Sequence, residues 1–172
     1  LQSLVPLGIP HARFNIEFKS KELADNGIDK VQYLFSANSS SPLSHIANVA
    51  SGGEVARVML SLKAMISKAV SQPTIIFDEI DTGVSGKIAS SMAAMMRDMG
   101  NHDRQVISIT HLPQIAAMGA VHYKVYKEEK DNITTTHLVK LNDDDRVKEI
   151  ANMLSGDNIT EAAINNAKEL LK

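Results

Sequence analysis

Two adjacent acids, Asp78 and Glu79, end a short apolar run, Thr74-Ile75-Ile76-Phe77. An aspartate at the end of a buried strand can hold a magnesium ion, usually through water. The glutamate beside it can take a proton from an attacking water. Two solvated acids closing a strand are the plainer account of the same pair. Upstream, Ser51-Gly52-Gly53-Glu54 opens a helical pattern. Ser51 and Glu54 have the spacing of a capping box, so a simple helix start explains part of this segment. It does not explain the glycines, each of which costs about 1 kcal/mol relative to alanine inside a helix. Glycine lets backbone N–H groups approach a ligand closely, and helix N-termini favour anions, so a phosphate is the natural guest. Downstream, Thr110-His111 ends a second apolar run, Val106 to Ile109. A histidine there can donate a hydrogen bond to a phosphate oxygen, although a lone histidine is more often structural. Asp81-Thr82-Gly83-Val84-Ser85-Gly86 follows the acids and reads as a turn, with Ser85 capping the next helix. His11, His45, His102, His122 and His137 show no ligand spacing and cysteine is absent, so no zinc site is expected.

Positioning these residues requires strands that alternate with helices. The run Thr74 to Phe77 and the run Val106 to Ile109 are short, continuous and apolar, as suits parallel strands buried on both faces. A helical pattern from Gly53 to about Val70 places Val55, Met59, Leu62, Met65 and Ile66 on one stripe. A second helix, Ile88 to Met99, carries Met92, Met95, Met96 and Met99 at helical spacing, which reads as core packing rather than a partner surface. A short helix from Pro113 to Met118 follows. Around this centre, Phe14, Ile16 and Phe18 alternate with polar residues as in a half-buried strand, Asp25-Asn26-Gly27 turns the chain, and Val31, Tyr33 and Phe35 give a second strand. Ser36 to Ser44 reads as a loop. Val121 to Tyr126 and Thr134 to Leu141 read as a hairpin turning at Asp131-Asn132, and Arg146 to Leu154 and Thr160 to Leu171 as closing helices. The class is therefore α/β, with a largely parallel sheet whose strand ends gather the polar residues.

Composition narrows the partners. A chain of 172 residues fits one domain, and 44% hydrophobic residues suffice for a core built from Leu, Ile, Val, Ala and Met. A net charge of −2 lacks the positive excess of a broad nucleic-acid surface, so DNA contact through this chain would need a local patch. No apolar run approaches the roughly 20 residues of a membrane-spanning helix. Leu1, Leu4 and Val5 are apolar at helical spacing, as expected of the end of a helix arriving from upstream, and the lack of an initiator Met is expected of a chain that starts inside a longer protein or has been processed.

The order of the pieces resembles the second half of an ATP-binding-cassette ATPase. Ser51-Gly52-Gly53-Glu54 is similar to the signature motif, Ile75 to Glu79 to the Walker B strand, Asp81 to the D-loop and His111 to the switch histidine. Glu54 at the end of the signature points to the SMC-like branch rather than to transporters. Longer words resemble the RecN family: Val49 to Glu54, Phe77 to Gly86, Ile109-Thr110-His111-Leu112-Pro113-Gln114, Tyr33 to Asn38 and the tail Arg146 to Lys172. Val55-Ala56-Arg57 stands where that family more often has Leu-Ser-Arg.

The resemblance implies the C-terminal lobe of an ATPase head, with residues 1–7 ending a coiled-coil arm and residues 8–172 forming the lobe. It implies ATP and Mg²⁺ as cofactors, Asp78 at the metal, Glu79 and His111 as catalytic residues, and Ser51, Gly52, Gly53, Glu54 and Asp81 at the nucleotide. The implied partners are the N-terminal half of the same head, a second head in a homodimer, and DNA, with a role in double-strand-break repair in the cytoplasm at the nucleoid. No G-x-x-x-x-G-K-[ST] occurs, and Gly86-Lys87 is followed by Ile88. The chain by itself is thus expected to be inactive. The rival readings are the head of another SMC-like chromosome or repair ATPase, and a dimerisation module that never hydrolyses ATP.

Overall fold

The computed structural model describes residues 1–48, 52–70, 72–84, 86–101, 104–156 and 158–172. The alternating segments form antiparallel pairs. Strand β1 (Arg13–Ala24) pairs with β2 (Gly27–Ser36) from Arg13↔Ser36 to Ser20↔Asp29, and the register shifts before Ala24↔Gly27. A short β3 (Ser44–His45) adds to β2 at the end of the stretch expected to be loop. Ser36 Oγ ties that loop down by donating to the Asn38 carbonyl at 2.8 Å, and the Arg13 guanidinium donates to the carbonyls of Asn38 and Ser41.

Helix α1 (Gly52–Ala69), strand β4 (Thr74–Asp78), helix α2 (Gly86–Gly100), strand β5 (Gln105–Ile109) and helix α3 (Pro113–Met118) follow. Strands β6 (Tyr123–Lys130) and β7 (Ile133–Lys140) make a hairpin, and α4 (Asp143–Ser155) and α5 (Glu161–Leu170) close the chain. Asp131 and Asn132 turn the hairpin with φ of 53° and 62°, the left-handed pair that a tight two-residue turn requires. The strand–helix alternation is present, but among the described residues only β4 and β5 pair in parallel, and the other two sheets are antiparallel. A parallel pair needs a crossover, and only the β4–α2–β5 segment joins two paired strands through a helix; short turns give antiparallel hairpins.

The chain divides into two compact units, Leu1–Gln72 with Ile80–Met92, and Pro73–Glu79 with Ala93–Lys172. In the first, Leu4, Leu7, Ile9, Phe35, Val58 and Leu60 are buried. The 3-10 helix Gln2–Leu4 is tied to α1 by the hydroxyls of Ser3 and Ser61, 2.5 Å apart. A Cβ on Gly8 would sit 2.6 Å from Ile88 Cδ1, the far end of a side chain that can shift, so it is the φ of 79° that favours glycine there. The apolar stripe of α1 is largely uncovered, with only Val55 half-buried. Met59, Leu62, Met65 and Ile66 are exposed, whereas Val58, Leu60, Ser61 and Ser67 are buried. Periodicity locates an apolar face but not its cover, and the buried positions of α1 are not confined to one face.

In the second unit, Ile75 and Phe77 of β4 are buried while Ile76 is 60% exposed, and Ile107 and Ile109 of β5 are exposed as well. Burial on both faces was expected, and one face of this pair is bare. Ala117, Ile150, Ala151, Ala163 and Ala167 form a core joining α3, α4 and α5, with Val147, Met153, Ile164 and Leu170 packed around it. The alanines let these helices approach closely. Helix α4 starts three residues earlier than its apolar pattern, because the Asn142 side chain caps it by accepting from Asp145 N–H at 2.8 Å. The buried methionines Met92, Met96 and Met99 bear out the core reading of the α2 stripe. No helix among the described residues is long and apolar enough to cross a membrane.

Candidate functional site

Strands β4 and β5 run side by side with Asp78 opposite Ile109. Their carboxyl ends therefore bring Asp78 and Glu79 next to Thr110 and His111. Burial separates backbone from side chain here: Ile75 and Phe77 anchor β4, while Asp78, Glu79 and His111 are exposed. Glu79 adopts φ 47°, a left-handed conformation that is uncommon for a residue with a Cβ. Its N–H donates to the Ile109 carbonyl at 3.1 Å, which carries the inter-strand bonding past the last residue of β4. Strain of this kind persists where surrounding structure holds it, and it gathers at functional sites.

Beyond β5, Thr110 Oγ1 accepts the Leu112 N–H at 3.0 Å, closing a turn around His111. Leu112 is the N-cap of α3, with no side-chain cap, and Pro113 opens the helix. The Leu112 carbonyl accepts from Ile115 and Ala116, both at 3.1 Å. A single exposed carboxylate at Asp78 suits a magnesium ion that takes its other ligands from water and phosphate. Among the described residues no group of three or more His, Asp or Glu side chains gathers to hold a metal by itself.

The remaining expected site residues lie in the first unit or outside the described residues. Gly52 opens α1 and is exposed, and a Cβ there would meet nothing within 4 Å. Internal crowding therefore does not demand glycine at that position. Gly53 and Glu54 are half-buried in the first turn of this 18-residue helix. Asp81 is 1% exposed, and its carbonyl accepts from Val84 N–H at 3.2 Å in the turn that leads to Gly83 and Gly86, both at positive φ. Ser51 and Ser85, with Val49, Ala50 and His102, lie outside the described residues. The structure thus unites Asp78, Glu79 and His111, while Gly52, Gly53, Glu54 and Asp81 belong to the other compact unit. Sequence reasoning had no signal for the left-handed backbone of Glu79, since residue type does not announce it.

The chain is 44% identical over 151 residues to the DNA repair protein RecN of Bacillus subtilis, a match covering 88% of this chain and 26% of the relative. It is 40% identical over 172 residues to RecN of Vibrio cholerae, covering 99% and 31%, and 43% identical over 168 residues to RecN of Deinococcus radiodurans, covering 96% and 29%. The chain thus spans about a third or less of the length of these relatives. Among solved structures, the Smc head domain with a coiled coil and joint from Pyrococcus yayanosii matches with a TM-score of 0.64 and 19% identity, over 87% of this chain and 27% of that one. A chain studied for ATP-driven dimerization and DNA-stimulated activation of SMC ATPases matches with a TM-score of 0.58 and 18% identity, over 91% and 89%. The fold is that of SMC ATPase heads. No protein-family profile matches the chain.

Proposed function

From a chain homologous over nearly its whole length to part of RecN, and folded like an SMC head, we propose the C-terminal lobe of an ATP-hydrolysing head that acts in repair of DNA double-strand breaks. One observation carries the site: Asp78-Glu79 and Thr110-His111 share the carboxyl ends of adjacent, in-register parallel strands. Ligands in open α/β sheets bind at that edge.

In this reading ATP and Mg²⁺ belong to the complete head, where the metal offsets charge on the phosphates. Asp78 would hold the ion. Glu79 accepts a proton from the attacking water, and His111 donates a hydrogen bond to a phosphate oxygen. Ser51, Gly52 and Gly53 offer hydroxyl and backbone N–H groups to the nucleotide of a second head, at the positive end of α1. Glu54 caps that helix start, and Asp81 anchors the turn between the strand and α2. The missing phosphate loop comes from the N-terminal half of the same protein, and the head dimer, its arms and DNA complete the assembly. The bare apolar faces of α1 and of β4–β5 support a lobe that is covered by another segment of its parent.

The test is Glu79→Gln in the complete parent protein. Loss of a general base costs about 10² to 10⁴ in rate. ATP should still bind, and the nucleotide-bound dimer should accumulate. Turnover at the wild-type rate would remove Glu79 from the role of base.

A further inference from the structure

We propose that Thr110 is a positioning residue that aims the His111 imidazole, through the hydrogen bond its Oγ1 accepts from Leu112 N–H. The inference rests on the reading of His111 as a phosphate donor. Two fixed points bracket the segment. On one side the Ile109 carbonyl is held by Glu79 N–H at 3.1 Å. On the other, Leu112 is extended at φ −94° and ψ 124°, as a residue before proline must be, and α3 takes its carbonyl. Only Thr110 and His111 lie between. Helix α3 has no side-chain cap of its own, so the Thr110 hydroxyl supplies the acceptor that closes this turn. A β-branched threonine is stiff at χ1, which holds that oxygen in place.

The backbone of His111 is thereby set relative to Glu79, the group on the neighbouring strand end. Valine at position 110 would keep the shape and lose the acceptor, whereas serine would keep the acceptor and lose only a methyl group. The Thr110 side chain contacts neither nucleotide nor metal in this account. Its effect on turnover passes through the histidine.

The experiment compares the full-length parent protein with its Thr110→Val, Thr110→Ser, His111→Ala and Thr110→Val/His111→Ala variants, measuring kcat and KM for ATP and the thermal midpoint. Misplacement of a catalytic group by about 1 Å costs on the order of a hundredfold, so Thr110→Val should lower kcat by about ten- to a hundredfold with KM for ATP little moved. Thr110→Ser should keep most of the activity. The double variant should be no slower than His111→Ala alone. If Thr110→Val folds poorly, Thr110→Ala removes the same acceptor without new bulk, and serine remains the control. Wild-type kcat in the variants that lack the hydroxyl, beside an inactive His111→Ala, would overturn the inference and leave the site reading intact. A Thr110→Val defect that adds fully to that of His111→Ala would overturn it too. Full activity in His111→Ala would remove the histidine's role itself, and the inference with it.

Discussion

Glu79 is exposed, and it holds a backbone conformation that its own side chain disfavours. A solvated acid at a strand end has no need of φ 47°. The left-handed region costs a Cβ-bearing residue about 1–2 kcal/mol. Glycine escapes that cost, so Glu79→Gly should be more stable than Glu79→Ala by about 1 kcal/mol, although both lose the carboxylate. Chemical denaturation of the two variants checks this, and equal midpoints would mean the conformation is not held in solution. The identity of Asp78, Glu79 and His111 as candidates was legible from type and position, because polar residues closing apolar runs are a one-dimensional signal. The conformation of Glu79 and the turn made by Thr110 were not. The first depends on a bond between segments about thirty positions apart, Glu79 N–H to the Ile109 carbonyl, which no local pattern encodes; the second is a local bond from Leu112 N–H to the Thr110 hydroxyl, which the residue types permit but do not require.

Helices and hairpins were placed by pattern with boundaries off by a few residues. Helix α3 matches its expected span, because Pro113 and Gly119 punctuate it. The start of α4 was missed because a polar cap, Asn142, and three acidic residues precede the apolar pattern. What the pattern could not supply was which face of an element is covered, as α1 and β4 demonstrate. Where cover does exist, its loss is measurable. Ile150 is fully buried among alanines of α3, α4 and α5, so Ile150→Ala should destabilise the second unit by about 2–5 kcal/mol. An unchanged denaturation midpoint would contradict that packing. The same unit contains a histidine with a lowered pKa. Burial, then the charge of Arg146, push His122 below its ordinary 6.5, with Lys124 acting in the same direction and Glu149 against. Above that value the ring is neutral whether folded or not and contributes nothing. As pH falls below it, the unfolded chain binds the proton first, so stability declines until the folded pKa is passed. His122→Gln should flatten the dependence of the thermal midpoint on acidity below about pH 6.5. A slope identical to that of the parent would show that other groups govern it.

At the scale of the whole molecule, each unit displays apolar surface that a self-sufficient domain would cover. In the first, Phe14, Ile16 and Phe18 stand opposite Phe35, Tyr33 and Val31, and all but Phe35 are exposed, as are Met59, Leu62, Met65 and Ile66 of α1. In the second, Ile76, Ile107 and Ile109 lie bare on a parallel pair, an arrangement that normally has both faces covered. The chain also spans only 26% to 31% of the length of the RecN relatives compared, and in the proposed reading the rest of a longer parent supplies that cover. Purified alone, the chain should therefore self-associate or unfold at a low midpoint, and the preceding part of its parent, supplied in trans, should raise the midpoint and restore a discrete particle. Turnover should follow the same addition. The sequence contains no G-x-x-x-x-G-K-[ST], the loop whose backbone cradles the phosphates, so the chain alone has Asp78, Glu79 and His111 but lacks those contacts. ATPase assays before and after adding the missing half separate the outcomes. Magnesium-dependent hydrolysis by the chain alone, abolished by Glu79→Gln, would mean that phosphate is held by residues other than an upstream loop. A chain that stays monomeric, stable and indifferent to the added half would mean that the bare faces are not an interface.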